Sequence, residues 1–204
     1  MKKKELEILL QKVAKPETIK PDLEQYQTPA DIASDMLWIA YHNGDIEGKI
    51  VIDLGCGTGI FSIGASLLNA KKVIGVDIDE NLVEIARKEA RKFGVEIHFF
   101  IGDIENFHER GDTTVMNPPF GAQFANRKAD KIFLKKAMEL TDCIYSLHLK
   151  KSFYFIKNFI EKNEWKTCFY KEYKFPIKAS LPFHEKRIVY YDVVMVNARK
   201  VKSH

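Results

Sequence analysis

The chain is short of cysteine, of long apolar runs and of net charge, and each shortage closes off a class of protein. Its three cysteines are Cys56, Cys143 and Cys168. They are odd in number, far apart and form no C-x-x-C pair, which argues against a disulfide scaffold and a zinc cluster. No apolar stretch approaches membrane-spanning length. The start, Met1 to Lys4, is basic, but the apolar run behind it is only Ile8 to Leu10, too little for a secretory signal. The expected setting is reducing and cytoplasmic. The net charge of +4 is compatible with an anionic partner but too weak to demand one. What is present is ample: 46% hydrophobic and 29% charged residues over 204 positions give one soluble globular domain with room for a full core.

The rest is organised around Val51 to Ala65, VIDLGCGTGIFSIGA. Apolar residues lead into Asp53, then Gly55, Gly57 and Gly59 alternate, and a second apolar run follows. The pattern predicts a buried strand, a tight turn and the start of a helix. Glycine suits the turn because a side chain would hold the backbone away from a ligand, and because positive φ is open to it. The helix beyond it offers unpaired N–H groups. An ordinary strand-to-helix turn is the bland alternative. Cys56 sits inside the turn as a small structural residue rather than a nucleophile. Downstream, Lys72 to Asp79, KVIGVDID, is a second strand ending in acids, and such an acid can accept from both hydroxyls of a ribose.

A dinucleotide fingerprint is spaced G-x-G-x-x-G, whereas the spacing here is G-x-G-x-G. DLGCGTG followed by GVDID resembles the first two motifs of class I S-adenosylmethionine (SAM) methyltransferases. The resemblance implies SAM as cofactor. It implies contacts from Asp53, Gly55, Gly57 and Thr58 in the first motif and from Asp77 and Ile78 in the second. Asp103, after the third strand, matches the acid that accepts from the adenine amino group, with Ile104 flanking the ring.

In chain order, Lys3 to Val13 carries Leu6, Leu9, Leu10 and Val13 on one helical face, and Pro16 and Pro21 open a loop. In EQYQTP, Thr28 is placed to cap the next helix, with Pro29 in its first position and Asp31 favouring its N-terminal dipole. The segment also resembles the entry loop of adenine-methylating enzymes, which implies that Gln25 and Thr28 touch the cofactor. A helix from Asn81 to Phe93 ends at Gly94, and a third strand is predicted over Val95 to Ile101. His98, alternating away from Ile97 and Phe99, is assigned to the surface. Cys143 to Leu149 is the fifth strand, Ser152 to Asn163 a helix, and Trp165 to Phe175 the sixth strand. Asp130 is placed to cap the helix before the fifth strand. Pro176 to Arg187 is predicted as a long loop, Ile188 to Val196 as the last strand, and ARKVKSH as a frayed tail.

The fourth strand, Thr113 to Met116, runs straight into Asn117-Pro118-Pro119-Phe120. Pro118 holds Asn117 extended, and Pro119 fixes its own φ and has no N–H. The edge so formed offers two acceptors, the Asn117 side-chain oxygen and the Pro118 carbonyl. An amino group conjugated to a ring is a poor nucleophile because its lone pair is delocalised. Two acceptors gripping its N–H bonds favour a pyramidal nitrogen and aim the lone pair at a methyl donor. Phe120 is expected to offer a face on which a flat target stacks. A Pro-Pro turn with no chemistry is the alternative. [DNS]-P-P-[YFW] is the signature of amino-methyltransferases, and Asn with Phe favours adenine N6. Substrate contacts are expected from Phe120, from Arg127 and Lys128 in the polar loop GAQFANRK, and from Lys178, Phe183, Lys186 and Arg187, where basic and aromatic residues interleave.

The expected fold is α/β, Rossmann-like, with a seven-stranded, mostly parallel sheet in the order 3-2-1-4-5-7-6 and helices on both faces. Residues 1–45 supply N-terminal helices and a cofactor-covering loop, and residues 46–200 the sheet core of a single domain spanning 1–204. The chain resembles the small archaeal and eukaryotic adenine-N6 methyltransferases of small-subunit ribosomal RNA. That resemblance implies RNA as substrate and a small zinc-binding activator protein along the apolar third strand. A glutamine-N5 protein methyltransferase and a catalytically silent RNA-binding module are the competing functions.

Overall fold

The computed structural model describes residues 1–16, 26–120, 129–180 and 186–201, with backbone alone at 178–180 and 186–187. Four segments, rich in β-branched and other apolar residues, are almost wholly buried and form the sheet's centre: β1 (Ile50–Leu54), β2 (Lys72–Asp77), β4 (Thr113–Met116) and β5 (Cys143–Leu149). Strands of that composition suit a parallel sheet covered on both faces. With β3 (His98–Ile101), β6 (Trp165–Ser180) and β7 (Lys186–Lys200) they form one seven-stranded sheet, ordered β3-β2-β1-β4-β5-β7-β6. All pairings are parallel except β5 with β7 and β6 with β7. The order is the one expected from the sequence.

Helices cover both faces. On one lie α1 (Lys3–Leu10), α2 (Ala30–His42), α3 (Ile60–Leu67) and α4 (Glu80–Phe93); on the other, α5 (Ala129–Leu140) and α6 (Phe153–Lys162). Leu6, Met36, Leu37, Ile63, Tyr145 and Phe175 are buried in the first core; Ile52, Leu54, Met116, Leu134, Ile156 and Ile160 are buried in the second. The Asp79 side chain caps α4 by accepting from the Asn81 amide at 3.0 Å, and Gly94, at φ 63°, ends it.

Several boundaries differ from the sequence reading. The helix expected to Val13 stops at Leu10, and a turn carries Val13 into the core. The third strand starts at His98 rather than Val95, because the Val95 amide closes the end of α4 by donating to the Ala90 carbonyl. The loop expected over 176–187 is largely strand: β6 runs to Ser180, with Pro176 paired opposite Tyr190. Proline is tolerated there because β6 is the sheet's outer strand, where a missing N–H need not break a ladder. The expected tail also pairs, through Ala198 with both β5 and β6. Thr28 does not cap α2: Pro29 takes the N-cap position, without a side-chain cap bond. Asp130 lies inside the first turn of α5 and meets the buried His148 ring at 2.5 Å instead of capping.

One buried acid ties the N-terminal helices to the far strands. Asp35 of α2 accepts from Lys3 of α1 and from Lys171 and Tyr173 of β6. Although its burial opposes ionisation, these donors together hold its carboxyl below the usual range. Asp35→Ala is expected to lower stability by about 2 kcal/mol, since hydrogen bonds to a charged group are lost and a buried hydroxyl loses its acceptor. Urea unfolding of the two proteins measures this.

Candidate active site

The site lies at the carboxyl ends of β1, β2 and β4, where an open α/β sheet exposes its strand tips. A cavity of about 320 Å³ is walled by the turn after β1, the tip of β2, residues 102–105, residues 26–28 and the first turns of α5. The glycine turn is shaped by its backbone. Gly55, Gly57 and Gly59 have φ of 71°, 53° and 87°, the left-handed region that other residues enter at a cost. The Asp77 carboxylate fastens this turn to β2: it accepts from the Gly57 amide at 2.8 Å and, through its other oxygen, from the Asp79 amide at 2.9 Å. Burial raises its pKa against the pull of those amides.

Asp53 is expected to reach the cofactor, and the structure turns it elsewhere. It is buried beneath the turn, outside the cavity wall, and accepts from the amide and hydroxyl of Ser62 at 2.9 and 2.6 Å. Its position at the end of β1 directs it to the start of α3, whose free amides draw an acid. Its second oxygen has no partner among the described residues. Burial pushes its pKa up to about 7. The Cys56 thiol lines the cavity, but burial, with Asp53 and Asp77 nearby, pushes its pKa far above the ordinary thiol value. It is not a nucleophile at neutral pH.

The other wall comes from the segment before α2. Gln27 donates through Nε2 to the Ala14 carbonyl at 3.2 Å and to Thr58 Oγ1 at 3.1 Å, which clasps the N-terminal segment to the glycine turn. Its Oε1 is buried without a partner among the described residues. Facing it, Asn117 donates through Nδ2 to Thr28 Oγ1 at 3.0 Å and to the Tyr26 carbonyl at 3.5 Å. Asn117 Oδ1 is likewise buried, with no partner among the described residues. Buried polar atoms are normally satisfied, so two cavity-lining residues that each keep an unsatisfied acceptor mark where a ligand's donors belong. Together with Asp77, Asp103 and Ile104 on the opposite wall, this donor set fits SAM. The Asp77 end suits the ribose, residues 103 and 104 the adenine, and Gln27 with Thr58 the charged amino-acid end.

Of the residues singled out in the sequence, Thr28, Gly55, Gly57, Thr58, Asp77, Ile78, Asp103, Ile104, Asn117 and Pro119 line this cavity. Phe120 departs from expectation. It is 8% exposed, does not line the cavity, and packs edge-on against the Phe175 ring at 5.3 Å, because the apolar ring finds the core of β6 beside it. Gln25, Arg127, Lys128 and Phe183 lie outside the described residues, and Lys178, Lys186 and Arg187 are placed by backbone alone. The sequence reading missed Gln27 and the pocket-facing Ile132 and Phe133 of α5. Gln27 has a signal, its place in Q-Y-Q-T-P; the α5 pair, apolar residues on a helix, has none.

Because folding raises the Asp53 pKa from 3.8 to about 7, the native state holds that proton more tightly than the unfolded chain. Asp53 therefore favours folding most at low pH, and that contribution falls as pH rises through this window. Asp53→Asn is expected to remove that decline. Denaturation midpoints of both proteins across the window, taken as a difference, check it.

Comparison with known proteins agrees with this geometry. A family model described as a methyltransferase domain matches residues 46–171. The rRNA N(6)-adenosine-methyltransferase METTL5 of Danio rerio is 38% identical over 93% of this chain and 94% of its own. The crystal structure of the Pyrococcus horikoshii protein PH1948 superposes with a TM-score of 0.91 at 40% identity, covering 99% of both chains. Magnesium protoporphyrin IX methyltransferase of Synechocystis, crystallised with bound SAM, shares the fold at 18% identity and a TM-score of 0.66, over 95% of this chain and 90% of its own. A glycine turn held by a strand-end acid, a strand-end asparagine with a bare acceptor, and these relatives converge: the chain belongs to the methyltransferase-domain family.

Proposed function

We propose that residues 1–204 act as one domain that transfers the methyl group of SAM to the N6 amino group of adenine in RNA, in particular that of the small ribosomal subunit. The observation that carries this reading is Asn117, which lines the cavity with its nitrogen tied down and its oxygen buried without a partner among the described residues. The named activity of the zebrafish relative, similar along nearly the whole chain, supports the substrate.

SAM, when bound, supplies an electrophilic methyl group on a sulfonium. Every other step belongs to the chain. Thr28 and the Tyr26 carbonyl hold the Asn117 amide so that its oxygen, not its nitrogen, faces the target. Oδ1 accepts one N–H of the target amine, and the Pro118 carbonyl accepts the other. The grip draws the nitrogen lone pair out of the ring. No base acts before transfer, since the proton becomes acidic only once the nitrogen has gained its methyl group. The target base has to leave its stack to reach this edge, which costs least in a loop or bulge.

A small zinc-binding activator that adds a strand at β3 is part of the same proposal. β3 pairs only with β2 and leaves Phe100 and Ile101 exposed on an unprotected edge. Size-exclusion chromatography with and without the activator homologue tests this, and a soluble, fully active monomer counts against it.

Asn117→Ala is expected to lower methyl transfer by about a hundredfold or more, as loss of a positioned transition-state partner does, with SAM affinity nearly unchanged. Thr28→Val should lower kcat by about tenfold, with Thr28→Ser recovering most of it, because the hydroxyl acts by orienting Asn117. Asp77→Ala should instead weaken SAM binding, read by calorimetry. Labelled SAM offered to separated RNA, DNA and protein fractions, followed by nucleoside analysis, decides the substrate. Label in N6-methyladenosine from RNA is the expected result, and label confined to protein would overturn the reading.

A further inference from the structure

We infer that the β6–β7 hairpin is an arm that holds single-stranded RNA beside the catalytic edge, by stacking bases on its outer face. The inference rests on the RNA reading above. β7 pairs with β5 only as far as Leu149 opposite Val193, yet β6 and β7 go on pairing from Lys174 opposite Asp192 to Ser180 opposite Lys186. At about 3.4 Å per residue the arm projects roughly 20 Å past the strand tips where Asn117 lies.

The arm's two faces differ. On the inner face Phe175 and Ile177 of β6 are buried, their β7 partners Tyr191 and Val189 are 38% and 42% exposed, and the Phe175 ring meets Phe120 of the N-P-P-F edge, so the arm's base is fixed to the site. The outer face follows the alternate residues paired with the α6 side: Tyr170, Glu172, Lys174 and Pro176 on β6, and Ile188, Tyr190 and Asp192 on β7. Tyr170 stacks against Phe153 of α6 at 4.6 Å, which fixes the side of the sheet. There Tyr170 is 52%, Ile188 54% and Tyr190 62% exposed. A row of large apolar side chains left in water on an ordered hairpin marks an interaction surface.

Charge selects the occupant. The arm itself, residues 174–192, carries four Lys and Arg against two Asp and Glu, a surplus of two. The two acids on the outer face are each covered by a lysine, Glu172 by Lys150 and Asp192 by Lys174. Among the described residues, phosphates thus meet no bare acid there. Flat phenol rings beside a cationic backbone are the equipment for stacking unpaired bases while holding their phosphates.

The test compares the wild type with Tyr170→Ala/Tyr190→Ala and Tyr170→Phe/Tyr190→Phe. Binding of a fluorescein-labelled single-stranded oligoadenylate is read by anisotropy, methyl transfer to the same strand by label uptake, SAM affinity by calorimetry and folding by thermal melting. The alanine pair should weaken oligoadenylate binding and raise KM by about tenfold, with kcat and SAM affinity unchanged and Tm lowered only by the lost Tyr170–Phe153 contact, and the phenylalanine pair should behave as wild type. Unchanged binding by the alanine pair would overturn the arm, as would equal loss in both pairs. A wild type that methylates no RNA would instead strike the substrate reading, so the two failures are separable. Loss of a protein partner with oligoadenylate binding intact would also overturn the assignment to RNA.

Discussion

One hydrogen bond between distant parts of the chain decides which atom of Asn117 is left to offer, and the proposed chemistry depends on it. The Thr28 hydroxyl accepts from the Asn117 amide at 3.0 Å, and a side-chain amide whose nitrogen is so committed has only its oxygen left to offer. An asparagine free to flip would present a donor half the time, and a donor repels the amine it must grip. The fold exists, in this respect, to bring residue 28 to residue 117. β4 delivers Asn117 at a strand tip, the two prolines stiffen the chain beyond it, and α2 anchors the segment that carries Thr28. Asp35, bonded to α1 and β6 at once, holds α2 in place.

Around that bond the cavity is electrostatically tense. Asp53 and Asp77 are both buried, and in both the loss of hydration outweighs the hydrogen bonds that favour the charge. They differ in office. Asp77 spends both oxygens on backbone amides and so shapes the wall, whereas Asp53 supports the start of α3 from beneath and keeps one oxygen unused. A cationic ligand close by would relieve the cost of both charges, which is a reason for a sulfonium-binding cavity to tolerate two buried acids.

Much of this was legible in the sequence because it is local. Alternating glycines after an apolar strand, an acid ending the next strand, and N-P-P-F each need only a few neighbours to make physical sense. The strand order came from resemblance and held in full. What was not legible depends on distant partners. Pro176 reads as a breaker until β6 is known to be the outer strand, where its missing amide does no harm. Thr28 reads as a helix cap until Asn117 is seen to claim its hydroxyl. Phe120 reads as a stacking platform until Phe175, 55 residues on, supplies a better surface for the ring. Asp53 was found, but its direction was not, because nothing in the string of letters says whether a strand-end acid looks outward or down.

The Gln27 clasp carries a kinetic meaning. Its one amide group bridges the Ala14 carbonyl and the Thr58 hydroxyl, and the Ala14 amide in turn donates to Glu89 of α4. The roof over the donor's amino-acid end is thus stitched to two separate parts of the sheet domain. A spent, demethylated donor leaves by the door through which a fresh one enters, and that door swings only when these stitches part. Strengthening or cutting these few bonds would therefore bear on how readily the donor is exchanged, apart from the transfer step itself.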